Sequence, residues 1–287
     1  MNVCLVGGCG YIGGFLNRRL SGMKDVSRIT ILDKQDKDGI QYLDLEHADD
    51  FRTAAFDGLD YLVFLAAVSS PDLCEKDFNA SWRINVEGTR CIISAALEKG
   101  VRVLFFSSDA VFGEDVEIFD EDSLTLGSTA YGRMKKAIED EFRGMHGFKA
   151  IRLSYVVSSA DRFIRYCLGC LDRDEEAQVF HPFYRNCITV TTVVDVVAWL
   201  LLNWDSYPGW VLNVAGLELV SRLRLADELN RISRDRLRYS VVNPGQAFYA
   251  NRPAITQMKS KYLYKLGIIP EISFTEAFRL EMQGVTQ

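Results

Sequence analysis

NVCLVGGCGYIGGFL, residues 2–16, is the stretch that decides the fold. It is typical of a short apolar strand, a glycine-rich turn and a helix whose apolar side chains share one face. The turn satisfies two spacings, Gly7-x-x-Gly10-x-x-Gly13 and Gly8-x-Gly10-x-x-Gly13. Either spacing lets the backbone turn sharply and approach a pyrophosphate at the N-terminus of a helix. The stretch therefore predicts a dinucleotide site at the start of an α/β fold.

Apolar strands and helical patterns alternate along the first half of the chain. The predicted strands cover 2–6, 28–32, 40–43, 61–67, 101–106 and 148–153. Such alternation predicts an α/β protein with a Rossmann-type doubly wound parallel sheet and helices on both faces. Ligands of these sheets lie outside the carboxyl ends of the strands. Asp33, Ala66 and Ser108 lie at or directly after predicted strand ends, so we expect them to share one site.

The pattern becomes less regular after residue 155, and no clean linker separates two domains. We expect residues 1–155 to form the dinucleotide-binding domain, with 188–214 returning to it. Residues 156–187 and 215–287 are expected to form a smaller, interleaved substrate-binding domain. The last predicted helices lie near 257–266 and 273–284.

Composition limits the classes of function. The chain has 287 residues, of which 48% are hydrophobic and 25% charged, and its net charge is -6 without a long basic run. These values argue against nucleic acid as a partner. The longest apolar run, Val196–Leu202, is too short to cross a bilayer. Seven scattered cysteines indicate reduced thiols, and the Cys167–Cys170 pair lacks the partners of a metal site, so we expect a cytoplasmic protein without metal.

Asp33 predicts the preferred cofactor. It ends the second strand, twenty residues after Gly13. A carboxylate at this place accepts hydrogen bonds from the adenosine ribose hydroxyls and repels a 2′-phosphate, which favours NAD over NADP. Lys34, directly after it, weakens this preference because a cation attracts the 2′-phosphate.

Tyr131 and Lys135 are the candidate catalytic pair. They are four residues apart, so on a helix they share one face. A phenol with a pKa near 10 is a poor acid or base at neutral pH, but a nearby ammonium favours the phenolate. We therefore expect Lys135 to lower the pKa of Tyr131 into a useful range.

Seven motifs together resemble the extended short-chain dehydrogenases/reductases that act on nucleotide sugars. The resemblance covers nearly the whole chain. Its C-terminal part is most similar to the dTDP-4-dehydrorhamnose reductase branch, whereas the glycine turn is more similar to the 4-epimerases. The motifs are the glycine turn Gly7 to Gly13, Asp33, Asp44-Leu45, Leu65-Ala66-Ala67, Asn85-Val86-x-Gly88-Thr89, Ser107-Ser108 with Val111-Phe112-Gly113, and Tyr131-x-x-x-Lys135.

The resemblance implies a role for each matching residue. Tyr131 would be the acid/base at a sugar hydroxyl or ketone, Lys135 would hold the nicotinamide ribose, and Ser108 would hydrogen-bond the reacting oxygen. Asp44 would meet the adenine amine, and Asn85 would brace a helix near the site. The implied NAD-binding residues are Gly7, Gly10, Tyr11, Ile12, Gly13, Asp33, Asp44, Leu45, Leu65, Ala66, Ala67 and Lys135.

Substrate contacts are implied at Ser108, Asp109 and Arg185. Relatives place a diphosphate-binding arginine where Arg185 stands, and a guanidinium fork suits that ligand. His181 is a further candidate acid, or a structural histidine. The 4,6-dehydratases have an Asp-Glu pair where this chain has Asp109-Ala110, and one carboxylate too few argues against dehydration.

Three functions remain open on the sequence. The favoured one is an NAD-dependent nucleotide-sugar reductase that acts on a 4-keto sugar. A 4-epimerase with bound NAD would use the same Ser108, Tyr131 and Lys135. The third is a non-catalytic NAD-binding regulatory subunit, which would have little need of all three residues.

Assembly is predicted as well. Relatives commonly dimerise through the two helices that correspond to 75–98 and 128–146. An apolar stripe outside the site motifs is compatible with a four-helix contact in a homodimer. The stripe consists of Ile84, Ile92, Ala137 and Ile138.

Overall fold

The computed structural model describes residues 1–113 and 117–284. These residues divide into two compact units. The first unit comprises Met1–Gly113, Leu124–Arg152 and Val197–Leu212. The described part of the second unit comprises 117–123, 153–196 and 213–284.

Helices and strands alternate as far as residue 153. In chain order they are β1 (Asn2–Val6), α1 (Tyr11–Ser21), β2 (Arg28–Asp33), β3 (Ile40–Tyr42), β4 (Tyr61–Phe64), α2 (Pro71–Lys76), α3 (Phe78–Trp82), α4 (Thr89–Glu98), β5 (Arg102–Ser108), β6 (Ile118–Phe119), α5 (Ala130–Phe142) and β7 (Phe148–Leu153). Short 3-10 turns cover Leu45–Asp50, Thr53–Phe56 and Asp109–Val111, and a π-helical segment covers Arg83–Gly88.

The elements after residue 153 are shorter and less regular. They are β8 (Val156–Val157), α6 (Arg162–Asp172), β9 (Ala177–Phe180), β10 (Tyr184–Arg185), β11 (Ile188–Thr189), α7 (Val190–Leu202), β12 (Val211–Val214), β13 (Val220–Ser221), α8 (Arg222–Ile232), β14 (Tyr239–Val242), α9 (Gln246–Tyr249), β15 (Ile255–Met258) and α10 (Phe274–Glu281).

A sheet of seven strands forms the centre of the first unit. Within the described chain its order is β12-β7-β5-β4-β1-β2-β3, and strand β1 pairs in parallel with both β2 and β4. The predicted α/β class with a doubly wound parallel sheet is confirmed. The chain order reverses between β1 and β4, which makes their carboxyl ends the switch point where such sheets bind ligands.

One face of this sheet packs against α4 and α5. Phe64 and Phe105 from the strands meet Ile93 of α4 and Met134 of α5 in one buried cluster. Burial of such side chains stabilises the fold by roughly 1.5–3 kcal/mol each. The cluster therefore fixes helix α5, which carries the candidate catalytic pair, against the end of β5.

The predicted dimerisation stripe is wrong as a surface feature. Ile92 is 1% exposed and Ile138 is 0% exposed, and both belong to the buried cluster under α4 and α5. Ile84 and Ala137 are partly buried and pack against the same cluster. An apolar stripe on a helix has the same spacing whether it packs against a partner subunit or against the sheet of its own chain, and here it packs against the sheet. The homodimer itself stays a prediction.

The second unit contains a sheet ordered β13-β10-β15-β6. Strand β6 belongs to it because Gln257 pairs with Ile118 and Met258 with Phe119. Residues 117–123 therefore lie in the second unit, whereas the sequence prediction kept them in the first. The helix predicted near 257–266 is also wrong, since its first residues belong to strand β15.

Buried Glu121 ties this segment to the second unit. Its carboxylate accepts hydrogen bonds from the backbone N–H groups of Asn213 at 3.0 Å and Lys261 at 2.8 Å, and from the hydroxyl of Ser260. A carboxylate that accepts several hydrogen bonds can be buried at little cost. A separate apolar cluster holds α6, α8 and α10 together.

Candidate active site

The glycine turn packs tightly against the segment after β4. Gly7 has a φ of +82°, and a Cβ there would lie 2.7 Å from the backbone N of Ala66. A Cβ on Gly13 would lie 2.6 Å from the carbonyl oxygen of Gly7. Gly10 is the N-cap of α1, and its N–H donates to Gly7 O at 3.1 Å. Both predicted spacings begin at a tight position, because a Cβ on Gly8 would lie 2.8 Å from Cγ2 of Ile31.

Asp33 lies beside this turn. Its carboxylate accepts hydrogen bonds from the N–H of Cys9 at 3.0 Å and from the N–H of Gln35 at 3.2 Å. The first bond joins the end of β2 to the glycine turn, as the sequence predicts. Tyr11 and Ile12 form the first turn of α1, where Tyr11 is 37% exposed and its ring packs edge-on against Phe15.

Asp44 has two partners within its own surroundings. One carboxylate oxygen caps the following turn by accepting from Glu46 N–H at 3.0 Å, and the other forms an ion pair with Lys34 at 3.0 Å. Leu45 is buried, and its carbonyl oxygen would lie 2.0 Å from a Cβ on Gly88. The glycine of the Asn85-to-Thr89 motif is thus explained by a close backbone approach.

Asn85 fastens the segment that follows β4. Its Oδ1 accepts from Val68 N–H at 2.8 Å and its Nδ2 donates to Val68 O at 2.9 Å, so one amide satisfies both backbone groups. The residues just before Val68 are Leu65, Ala66 and Ala67, all half-buried. The long helix predicted here is interrupted, and Asn85 lies in its π-helical segment. The bracing role predicted for Asn85 is therefore directed at a loop.

Ser108 ends strand β5. Its hydroxyl donates to Asp109 Oδ1 at 3.0 Å and accepts from Ala110 N–H at 3.2 Å. The same oxygen thus caps a short turn while remaining half-buried. Ser107, one residue earlier, has a buried hydroxyl without a hydrogen-bond partner in the described part of the chain.

Tyr131 and Lys135 share one face of α5, as predicted. The Lys135 Nζ lies 5.7 Å from the centre of the Tyr131 ring and 4.5 Å from that of Phe105. It donates a 2.7 Å hydrogen bond to Phe106 O at the end of β5. The amine is therefore directed at a carbonyl of the sheet.

The predicted lowering of the Tyr131 pKa is wrong for this structure. Burial, followed by the charges of Cys74 and Asp109, raises the pKa of Tyr131 above its ordinary value. Burial also lowers the pKa of Lys135 to about 7, while Glu139 and Cys74 act in the opposite direction. Both groups favour their neutral forms because the surrounding apolar atoms penalise charge.

Two further residues near the pair have no signal in the sequence motif. Cys74 of α2 is fully buried, and its thiol donates to Val68 O at 3.1 Å. Glu139, one helical turn after Lys135, forms a buried ion pair with Arg152 at 2.7 Å. The i+4 spacing from Lys135 could have indicated Glu139, whereas Arg152 is brought to it only by the fold.

Arg185 lies in strand β10 of the second unit. Its Nη1 donates to Tyr184 O at 2.6 Å and its Nη2 donates to Pro253 O at 2.8 Å. Its guanidinium also stacks on Phe183 at 4.3 Å. The predicted fork toward a diphosphate is thus bound to backbone carbonyls. His181 lies nearby in sequence, and its ring packs edge-on against Tyr184.

Arg222, at the start of α8 in the same unit, was not predicted. Its guanidinium carbon lies close to four phenyl rings: Phe183 at 4.9 Å, Phe163 at 5.3 Å, Phe248 at 5.6 Å and Phe180 at 6.0 Å. Its charge also acts to lower the pKa of the Asp161 carboxyl, which burial raises. Its Nε is buried without a hydrogen-bond partner in the described part of the chain. These rings come from residues 163–183 and 248, in two segments of the chain that showed no pattern in the sequence.

The fold is that of a short-chain dehydrogenase/reductase. Residues 1–286 match the family described as RmlD substrate binding domain, and the chain belongs to that family. A curated relative is the spore coat polysaccharide biosynthesis protein SpsK of Bacillus subtilis (strain 168). It is 24% identical over 230 residues, which cover 78% of this chain and 79% of the relative.

Solved structures share the fold over almost the whole chain. A dTDP-4-dehydrorhamnose reductase from Clostridium acetobutylicum is 19% identical with a TM-score of 0.83, covering 100% of both chains. A UDP-glucose 4-epimerase from Stenotrophomonas maltophila with bound NAD is 20% identical with a TM-score of 0.81, covering 97% of this chain and 96% of that one. Proteins that share this fold thus include a reductase and a 4-epimerase.

The glycine turn fits a dinucleotide. A Cβ on Gly7 or Gly13 would collide with the protein's own backbone, so these glycines keep the turn tight at the N-terminus of α1, where backbone N–H groups suit a phosphate. Asp33 at the neighbouring strand end has the chemistry to accept ribose hydroxyls. Within residues 1–113 and 117–284, no helix is long and apolar enough to cross a membrane.

Proposed function

We propose that this protein is an NAD-dependent oxidoreductase of nucleotide sugars that reduces a keto group, at C4 of the sugar. The observation that carries the proposal is that Tyr131 and Lys135 share one face of α5, with the Lys135 amine hydrogen-bonded to Phe106 O at the end of β5. Burial raises the pKa of Tyr131, so its phenol keeps its proton at neutral pH. The protonated phenol is the form that can give a proton to a ketone oxygen.

The chain's own residues would divide the work as follows. Bound NADH supplies the hydride for the carbonyl carbon. Tyr131 gives its proton to the carbonyl oxygen, and the Ser108 hydroxyl positions that oxygen by a hydrogen bond. The Ser108 hydroxyl donates to Asp109 at 3.0 Å in this structure, so its proton would have to turn from Asp109 to the ketone oxygen when substrate binds. Lys135 holds the ribose next to the reacting ring.

NAD is the proposed cofactor in preference to NADP. Asp33 supplies the carboxylate that repels a 2′-phosphate. Lys34, the cation that weakened this preference in the sequence, forms an ion pair with Asp44 at 3.0 Å. A lysine with a carboxylate partner attracts a phosphate less strongly than a lysine without one, so the pair supports NAD.

We also propose where the substrate's phosphoryl groups bind. Arg185 would contribute a fixed positive charge, since two backbone carbonyls hold its guanidinium. Arg222 would form the fork, because none of its guanidinium contacts in the described chain is a hydrogen bond. The phenyl rings around it lower the local dielectric constant, which strengthens its attraction for an oxyanion.

The test follows NADH consumption with 4-keto nucleotide sugars. We expect NADH loss, and a Tyr131→Phe variant that binds NADH normally but turns over more slowly by a factor on the order of 10²–10⁴. Equal turnover by the variant would contradict the assignment of Tyr131. Unchanged biological output with intact NAD binding would favour the regulatory subunit.

A 4-epimerase is the second candidate, supported by the structural likeness to an NAD-containing 4-epimerase. An epimerase keeps NAD bound between turnovers, whereas a reductase exchanges it. The purified protein should therefore be denatured and the released NAD measured. Near-stoichiometric NAD would favour the epimerase, and an empty site that binds NADH reversibly would favour the reductase.

Homodimerisation and a cytoplasmic location complete the proposal. Light scattering at micromolar concentration tests the dimer, and a monomer would contradict it. The buried positions of Ile92 and Ile138 mean that any interface would use other residues of α4 and α5.

A further inference from the structure

Lys135 is a lysine whose amine is buried among apolar side chains. Its side chain is 3% exposed, and its described hydrogen bond goes to the neutral carbonyl of Phe106. The face of Phe105 lies 4.5 Å from its Nζ. A buried amine in such surroundings loses its proton readily unless an anion lies nearby.

Glu139 supplies that anion from the same helix. It lies four residues after Lys135, so both side chains project from one face of α5. The Glu139 side chain is 1% exposed. Its carboxylate is clamped by Arg152, whose Nε lies 3.0 and 3.2 Å from the two oxygens and whose Nη2 lies 2.7 Å from one of them.

The ion pair is poorly suited to stability alone. Arg152 Nη1 is buried without a hydrogen-bond partner in the described residues. Buried pairs commonly contribute little net stability even when every donor is satisfied. Stability alone therefore does not account for the Glu139–Arg152 pair, and its effect on the neighbouring Lys135 is the better explanation.

The other side chains packed around Lys135 carry no charge near pH 7. Strand β5 presents Phe105 and Phe106, the π-helical segment presents buried Asn85, and its charged Arg83 and Glu87 are exposed. Helix α2 presents the Cys74 thiol, whose pKa is raised by burial and which is therefore neutral near pH 7. Tyr131, on the helix itself, is neutral for the same reason.

We propose that Glu139 is a positioning residue that acts through Lys135, keeping its amine able to hold a proton at neutral pH and directed at the Phe106 carbonyl. Arg152 fixes the carboxylate in the place from which it does so. The inference rests on the proposed function for the catalytic use of Lys135, but not for the charge state of the amine. Without Glu139, less would oppose the effect of burial, and the pKa of the amine would fall further below its ordinary value.

The experiment measures the titration of the Lys135 side chain by NMR in the ligand-free protein. The variant is Glu139→Gln/Arg152→Met, which removes both charges and so leaves no uncompensated buried ion. The matched control is Glu141→Gln/Arg90→Met, which removes the exposed pair between α4 and α5. Circular dichroism and unfolding curves confirm that both proteins are folded.

We expect the Lys135 midpoint to fall by about one pH unit or more in the Glu139/Arg152 variant and to stay unchanged in the control. An unchanged midpoint in both folded variants would overturn the proposal. Because this readout needs no substrate, it can succeed even where no nucleotide sugar is turned over, a result that would count against the proposed function alone.

The pH profile of turnover is the second readout. A merely structural Glu139 would lower activity equally at every pH. Loss of its effect on Lys135 would instead shift the alkaline limb of kcat/KM to lower pH by the same amount as the NMR midpoint. A uniform loss with an unshifted limb would contradict the positioning role.

Discussion

Arg152 in the first unit and Arg222 in the second are both arginines packed on aromatic rings. Arg152 lies 4.9 Å from the Phe112 ring and 5.7 Å from the Trp210 ring, and it holds the Glu139 carboxylate. Arg222 lies against four phenyl rings, and instead of holding a carboxylate by hydrogen bonds it acts only through its charge on the Asp161 carboxyl. Aromatic contacts alone therefore do not distinguish the two.

The difference lies in the counter-charge. A buried guanidinium with a carboxylate partner is part of the protein's own charge balance, and its loss should affect folding first. A guanidinium that meets rings but no acceptor retains its capacity to bind an anion from outside. The contrast places Arg152 in the protein's own charge balance and is the reason why Arg222 is the arginine proposed above for ligand recognition.

The largest expected effect on stability comes from removing the carboxylate that neutralises Arg152. Glu139→Gln leaves the Arg152 charge buried without compensation, which should lower the free energy of unfolding by about 3–5 kcal/mol. Urea unfolding at pH 7 measures it. Arg222→Met should cost about 1–2 kcal/mol, because it removes cation–π contacts only. Equal losses would erase the distinction between the two arginines.

The next effect concerns pH. The pKa of Lys135 is about 7 in the folded protein, against a reference value of 10.5. Between these values the unfolded chain binds more protons, so stability should rise with pH from about 7 to 10.5 and level off above. The gain between pH 7 and 9 should be about 2 kcal/mol. Lys135→Met should remove this slope, and a variant with an unchanged slope would refute the assignment.

For ligand affinity we expect the substitution of Arg222 to have a larger effect than it has on stability. In Arg222→Met the dissociation constants of UDP and dTDP, measured by calorimetry, should rise roughly tenfold, the effect of one lost charge-assisted contact. Arg231→Met is the control, since Arg231 lies on the same helix, α8, with an exposed side chain bonded to Glu228. An equal rise of the dissociation constants in both variants would mean that the overall positive charge, and not a specific site at Arg222, attracts the nucleotide.

The smallest effect extends the comparison to a paired lysine. Asp44→Asn removes the partner of Lys34, whose side chain is 62% exposed. Exposed pairs contribute at most about 1 kcal/mol, so stability should hardly change. The affinity for NADPH should rise a few-fold relative to NADH, as fluorescence titration can measure. No change in the ratio would mean that Lys34 does not reach the cofactor.

Local sequence patterns predicted the structure correctly where a tight backbone turn or the end of a strand determines which residue is needed. The glycines at 7, 10 and 13 predicted the turn, and Asp33 was correctly expected beside it because parallel strands end at one edge. Sequence patterns gave a wrong prediction where the apolar face of a helix could pack either against the protein's own sheet or against a second subunit. Ile92 and Ile138 have the spacing of an interface and of a core, and only the sheet beneath them decides.

The sequence by itself thus determined the α/β class, the dinucleotide turn and the placement of Tyr131 and Lys135 on one helix face, since all three depend on spacing within one or two elements. The tertiary structure alone decided the rest. It brought Arg152 to Glu139 and collected phenyl rings from residues 163–248 around Arg222. It also reversed the expected pKa of Tyr131, because burial depends on every element packed around the ring and not on the neighbour one turn away.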